Sequence, residues 1–267
     1  MSDPHPIDTW NAGDPYETYV GRWSHLVANA FLDWLNLPPG LRWLEVGCGT
    51  GALTAAIAAK SRPSRLIGID PSEGFVAKAR ARLGHDAAFH VANALKLPLQ
   101  NAESDAVVSG LVLNFVPDTA SCLAEMRRVA VPGGTIAAYV WDYTGKMALM
   151  RYFWDAAVEL DPKVRELDEG IRFPLCEPDA LRRAFCDAGL TAIAVAPIEV
   201  PTHFRDFDDY WTPFLGGQGP APSYTVSMDA ASRNRLRDRI RERLPIQSDG
   251  SISLEARAWA IRSQTPG

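Results

Sequence analysis

Cysteine is scarce: the 267-residue chain has four, Cys48, Cys122, Cys176 and Cys186. None is spaced Cys-x-x-Cys and none has histidines clustered beside it, so neither a disulfide framework nor a metal site is expected. Positive charge is also thin. Lys and Arg number 27 against 32 Asp and Glu, a net charge of −5, and the one concentrated basic run is 233–243. A duplex or RNA partner normally demands a basic face, so no nucleic-acid partner is expected. No apolar run approaches the ~18 residues of a membrane span, and the first thirty residues are polar and aromatic without a leader-like hydrophobic core. A cytoplasmic protein with reduced thiols and no membrane association is the expectation. Repeats and low-complexity tracts are missing as well.

The chain does have enough apolar residues, 47% of the total, to fill the core of one large domain. It is organised around residues 41–55, Leu-Arg-Trp-Leu-Glu-Val-Gly-Cys-Gly-Thr-Gly-Ala-Leu-Thr-Ala. An apolar strand runs into Glu45, then into Gly47, Gly49 and Gly51, then into a helix-forming run. Glycines at alternate positions permit positive φ and let a ligand lie against bare main chain. A flat, adenosine-like ligand fits such a turn.

Two ligand classes use it. Read as Gly47-x-Gly49-x-x-Ala52 with Asp70 placed 21 residues after Gly49, it meets the dinucleotide fingerprint, and a nicotinamide-dependent oxidoreductase is an alternative. Glu45 separates the two classes. Two residues before the first glycine, its carboxylate would repel a pyrophosphate and attract an ammonium and a sulfonium. At ~4 Å that attraction is worth ~4 kcal/mol at an effective dielectric near 20, before desolvation. S-adenosylmethionine (SAM) is such a cofactor.

Glu45-Val-Gly-Cys-Gly-Thr-Gly resembles the first motif of class I SAM-dependent methyltransferases. Four more similarities follow in order: Ile67-Gly-Ile-Asp70-Pro-Ser, Val91-Ala-Asn-Ala94, Asp105-Ala-Val-Val-Ser-Gly-Leu-Val-Leu-Asn-Phe115 and Ala124-Glu-Met-Arg-Arg-Val-Ala-Val-Pro-Gly-Gly134. The resemblance implies an α/β, Rossmann-like fold: a seven-stranded, mostly parallel sheet with helices on both faces and helical lid insertions. It implies one methyltransferase domain over 1–267, with an N-terminal helical cap at 1–40, a SAM-binding core at 41–142, and lid or substrate insertions at 143–177 and 205–244. Trans-aconitate and ubiquinone or menaquinone-biosynthesis methyltransferases are the similar small-molecule types.

Along the chain, 1–15 reads as loose and 16–35 as a helix in two pieces, with aromatic and aliphatic residues at three-and-four spacing. Strands are predicted at 42–47, 65–70, 87–92, 104–110 and 134–142, alternating with helices as in a parallel sheet. The alternation breaks after 143. An amphipathic helix over 147–160 is the predicted lid, a helix at 178–188 follows, then a long strand at 190–204. The basic helix comes next, and a last strand at 251–261, which in the family inserts antiparallel beside the fifth.

The resemblance assigns site roles by position. Asp70 would accept both ribose hydroxyls, a role that the glycine turn 21 residues earlier favours over the alternative of capping the helix beginning at Ser72. Pro71 and Ser72 follow it, while Gly47, Cys48, Gly49 and Gly51 form the turn. Asn93, Ala94 and Leu95 would face adenine; Asn93 stands where the family usually has aspartate, and its amide can both accept and donate. Ser109, Gly110 and Leu111 would flank the methionine portion, with Tyr19 and Arg22 closing over from the first helix. For the acceptor, Trp23, Asn114, Phe115, Trp141, Tyr143, Trp154, Phe173, Trp211 and Phe214 could line an apolar pocket, or instead form the core of the lid. Arg22, Arg151 or Arg172 could pair with a substrate carboxylate. His203 and Asp142 are candidates for a base that takes the acceptor's proton, unless one is merely solvated and the other caps a turn.

The expected activity is SAM-dependent methylation of a planar or hydrophobic small molecule, with S-adenosylhomocysteine (SAH) as product. Oxygen is favoured over carbon or nitrogen as the acceptor atom. A monomer or homodimer is expected. The alternative of an RNA or protein substrate is weakened by Asn114-Phe-Val-Pro117, which stands where amino-methylating nucleic-acid enzymes have Asn/Asp-Pro-Pro-Tyr.

Overall fold

The computed structural model describes residues 17–217 and 219–267. The loose segment predicted at 1–15, and Tyr16, lie outside the described residues. A π-helical turn, Glu17–Gly21, leads into helix α1, Arg22–Leu35. The predicted alternation follows: β1 (Arg42–Val46), α2 (Ala52–Ser61), β2 (Arg65–Asp70), α3 (Glu73–Leu83), β3 (Ala88–Val91), β4 (Ser104–Gly110), α4 (Thr119–Val129) and β5 (Ala130–Trp141). Beyond it come α5 (Ala148–Leu160), α6 (Glu169–Arg172), α7 (Pro178–Asp187), β6 (Thr191–Phe204), α8 (Phe207–Trp211), α9 (Pro220–Ser227), α10 (Ala230–Arg243) and β7 (Ile252–Gln264).

Local chemistry sets several of these boundaries. Asn36 takes a left-handed φ of 45° and ends α1 just before Leu37-Pro-Pro, because a proline disfavours helix in the residue before it. The Ser72 hydroxyl accepts the Phe75 N–H at the start of α3, and the Asp118 carboxylate accepts that of Ser121 at the start of α4; each satisfies a donor the helix leaves orphaned.

The strands form one sheet in the order β3-β2-β1-β4-β5-β7-β6. All neighbours are parallel except β7, which runs antiparallel to β5 on one side and β6 on the other. Two strands came out longer than the sequence pattern indicates. β5 begins at Ala130, which pairs with Ser104 across a register shift, and β7 runs to Gln264 because it has partners on both edges.

Alternation of side chains divides the core. Trp43, Leu66, Ala106, Val108 and Tyr139 face one way, packed with α1, α2 and α5. Leu44, Val46, Ile67, Val107 and Ile136 face the other, beneath α4 and α7. Strand order reverses between β1 and β4, one neighbour leading to β2 and the other to β5, and the crevice at the carboxyl ends of those strands is where ligands of such sheets bind.

Candidate active site

The turn after β1 is held by β2. The N–H groups of Gly47 and Cys48 both donate to the Ile69 carbonyl, at 2.7 and 2.9 Å. Gly47 has φ +77° and a Cβ there would meet Val112 at 2.5 Å, so no side chain fits. Gly49 has φ +50°, and a Cβ on it would meet nothing within 4 Å: the main chain at this point faces open cleft. The Gly49 N–H donates to Asp70 Oδ2 at 3.0 Å and the Ser72 N–H to Oδ1 at 2.8 Å. Each carboxylate oxygen keeps a further lone pair. Burial pushes the Asp70 carboxyl above its ordinary range, with the Ser72 and Gly49 N–H groups pulling it back.

Glu45 shares the sheet face of Trp43 by the two-residue period of β1, and that face looks toward α2. There Thr54 Oγ1 donates to its Oε2. The side chain is 2% exposed, and desolvation lifts its carboxyl to about 8, against the opposing Thr54 bond and with help from nearby Asp70.

These groups line a cleft of about 630 Å³. Gly47, Cys48, Gly49, Asp70, Pro71, Ser72, Asn93 and Ala94 form one end; Gly110, Leu111, Phe115, Tyr139, Trp141 and Tyr143 form the other, roofed by Val20 and Ser24 from the N-terminal turn and α1. A bare main-chain bend beside a carboxylate with spare lone pairs suits a nucleoside ribose. A lining that is acidic and, among the described residues, free of lysine, arginine and histidine does not suit a pyrophosphate.

Residues 44–138 match the family model described as a methyltransferase domain. A trans-aconitate 2-methyltransferase of Methylobacterium radiotolerans is 31% identical over 205 residues, which are 70% of this chain and 77% of that protein. The chain belongs to the class I SAM-dependent methyltransferases. A 2-phytyl-1,4-naphtoquinone methyltransferase of Thermosynechococcus vestitus is 32% identical over 48% of this chain and 58% of its own length. Among the first curated relatives it matches, the chain spans between 32% and 77% of their length. Phosphoethanolamine N-methyltransferase 2 of Haemonchus contortus, solved with SAM, shares the fold with a TM-score of 0.56 at 15% identity, over 90% of this chain and 53% of that one. SAM is the cofactor of this methyltransferase family.

Other expected site residues stand elsewhere. Tyr19 is buried, but its hydroxyl donates to Met150 Sδ at 2.7 Å, and neighbouring Val20 takes the place at the cleft. Arg22 bonds Asp209 and the His203 carbonyl instead of the cleft. Gly51 lies under the turn against Leu83 and Ala79. Ser109 shares a sheet face with Val107, so its Oγ points away from the cleft and finds no partner among the described residues. Leu95 contributes only its N–H, which donates to Asn93 Oδ1 at 2.9 Å; that oxygen keeps a second lone pair and the amide N–H₂ can donate.

Of the expected acceptor residues, Phe115, Trp141 and Tyr143 line the cleft, and Phe173 packs behind them, 5.0 Å from Phe115 and 5.9 Å from Tyr143 between ring centroids. The rest belong to the packing of the insertions. Trp154 Nε1 donates to buried Glu169, Phe214 stacks on Phe153 at 4.6 Å, Trp211 lies against Phe214, and Trp23 meets Phe204 edge-on. Asn114 donates to Cys176 Sγ at 3.4 Å. Sequence reasoning missed Ser24, Thr50, Glu73, Phe75 and Tyr139 on the cleft wall. Tyr139 was findable, since it precedes Trp141 by two residues on one strand and must share its face.

Neither candidate base is placed for that role. His203 is exposed on β6, its Nδ1 3.3 Å from Ser253 Oγ, outside the cleft. Asp142 is 1% exposed and saturated with donors: Thr144 Oγ1, the N–H groups of Gly145 and Lys146, and Arg257 at 2.6 Å. It ties the turn after β5 to β7. Asp142→Ala should therefore cost about 3–5 kcal/mol, the usual result of stranding one partner of a buried pair. Urea unfolding measures this loss, and SAM affinity should change much less.

Glu169 gives a second measurable consequence. Burial lifts its carboxyl to about 8 from 4.5. Between those values the folded chain keeps a proton that the unfolded chain has released, so stability falls as pH rises from the lower to the upper, and Glu45 adds the same sign. Thermal unfolding followed across this range should show the decline, and Glu169→Gln should make it shallower.

Proposed function

We propose that the protein transfers the methyl group of SAM to a small molecule with a planar or apolar body, oxygen being the favoured acceptor atom. The observation that carries this is the continuity of one cleft from the Gly47–Asp70 end to the aromatic wall of Phe115, Tyr139, Trp141 and Tyr143. In this reading the Gly49 main chain and Asp70 hold the nucleoside, and the free amide N–H₂ of Asn93 meets an adenine ring nitrogen. Residues 17–40, 143–177 and 205–244 serve as cap and lid.

When bound, SAM would supply a methyl carbon activated by its positive sulfur: the acceptor's lone pair would form the new bond to that carbon, the C–S electron pair would return to sulfur to leave SAH, and an acceptor hydroxyl would pass its proton to solvent water. The protein's part is then alignment. Orienting a bound pair can supply ~7–11 kcal/mol of a barrier. Tyr139, whose hydroxyl lies against Gly110 at the end of β4, and Tyr143 are placed to turn an acceptor toward the cofactor end, while Leu111 and Val112 close the apolar side.

Calorimetry should give micromolar binding of SAM and SAH, and SAH should form when a panel of phenols, amines and carbon acids is offered, with phenols turned over fastest. No heat with either cofactor would end this proposal.

A further inference from the structure

Three acidic side chains line the cleft, Glu45, Asp70 and Glu73, and among the described lining residues there is no lysine, arginine or histidine. The arginines that the sequence offered as carboxylate partners are engaged elsewhere. Arg22 holds Asp209 at 3.0 Å and lies 4.4 Å over the ring of Trp23. Arg151 reaches Asp168 at 2.5 Å and Asp155 at 3.9 Å. Arg172 lies 5.3 Å from the centroid of Phe173, behind the cleft wall. Residues 1–16 contain no lysine or arginine, their one basic side chain being His5, and residue 218 is a neutral glutamine. No part of the sequence outside the described structure can therefore bring a lysine or arginine to the site.

We propose that the methyl acceptor is uncharged: a ring-bearing small molecule without a carboxylate or phosphate, held between the faces of Phe115, Trp141 and Tyr143. This rests on the methyltransferase reading above and narrows its substrate class. An anionic acceptor would leave water for an apolar wall with no lysine, arginine or histidine among its described residues to replace its hydration, and burying an unpaired charge is among the costliest events in a protein interior. The acids at the other end add repulsion. A neutral ring loses little on the same transfer and gains the apolar area of the wall. A bound SAM would bring a sulfonium and an ammonium; only the sulfonium adjoins the reacting atom, where it can meet one anion, not the several of a polycarboxylate.

The test uses the whole protein loaded with saturating SAH, titrated at low salt with 2-naphthol and with 2-naphthoate, which share a ring and differ in charge. Calorimetry and tryptophan fluorescence read the affinity. The naphthol should bind tighter than the naphthoate by about tenfold or more, the scale of leaving one charged group without a partner, and trans-aconitate should give no heat. Equal or tighter binding of the naphthoate, turnover of trans-aconitate with SAM, or no binding of the naphthol would overturn the assignment. Loading with SAH is measured first. Failure to load removes both this assignment and the methyltransferase reading, whereas normal loading with the charge order inverted removes this assignment alone.

Discussion

Asp70→Ala should weaken SAM and SAH binding by about a hundredfold while leaving the chain folded. The carboxylate has two tasks at once. It accepts the Gly49 and Ser72 N–H groups, which fixes the turn beneath the ligand, and in the proposed function it accepts the two ribose hydroxyls. A hydrogen bond to a charged group is worth about 1.5–3 kcal/mol, so two of them lost, taken at the low end at about 3 kcal/mol, amount to roughly two powers of ten in affinity. Asp70→Asn retains the shape and one acceptor, so it should fall between the alanine variant and the native protein. Calorimetry reads the affinities and thermal unfolding checks the fold. An unchanged affinity in a folded Asp70→Ala protein would remove Asp70 from the cofactor site, and with it the reading of the second strand's end.

The part of this site legible in the sequence is the part made by local backbone. Gly47 and Gly49 announce themselves because both take positive φ, with the Cβ position of Gly47 closed by Val112 and the main chain of Gly49 bare toward the cleft. Asp70 follows from its place at a strand end. The five strand-and-turn motifs between Glu45 and Gly134 likewise need only neighbours in sequence. What the sequence left open depends on contacts between distant segments. Trp154 and Trp141 are equally large and both follow β4, yet one is bound to Glu169 inside the insertion and the other faces the cleft. Asp142 was open to two readings, a base or a turn cap, because its partner Arg257 lies 115 residues away. Ser109 is a different kind of miss: the period-two pattern of β4 already turned it from the cleft, and the motif position outweighed that pattern.

The insertions show the same division. Their helices were readable from amphipathic spacing, but the packed aromatics Tyr19, Phe153, Tyr210 and Phe214 join the N-terminal turn, α5 and the segment after β6 into a single core. That core consumes the side chains that had been available, on paper, for a substrate. What remains at the cleft is a smaller wall with no lysine, arginine or histidine among the described residues, and this subtraction is what narrows the acceptor to an uncharged one.

Glu45 gives the second large effect, and it changes the electrostatic picture the sequence offered. The carboxyl is lifted to about 8 by burial, so in the empty cleft near neutral pH it mostly holds its proton. A sulfonium and an ammonium arriving beside it favour the ionised form, so binding SAM should release a proton. Rising pH removes that proton in advance. SAM affinity should therefore increase with pH, by up to about tenfold per unit as linkage allows, and level off above about 8, where Glu45 is already ionised. Calorimetry in buffers of different ionisation enthalpy counts the protons directly. Glu45→Gln should bind SAM more weakly at high pH and lose the slope, while SAH, which has the same amine but no sulfonium, should show a shallower slope on the native protein. A slope that survives in Glu45→Gln would mean that another group titrates. The preference for a cationic cofactor over a polyphosphate would then have to come from Asp70 and Glu73 alone, the two acids left on the cleft wall.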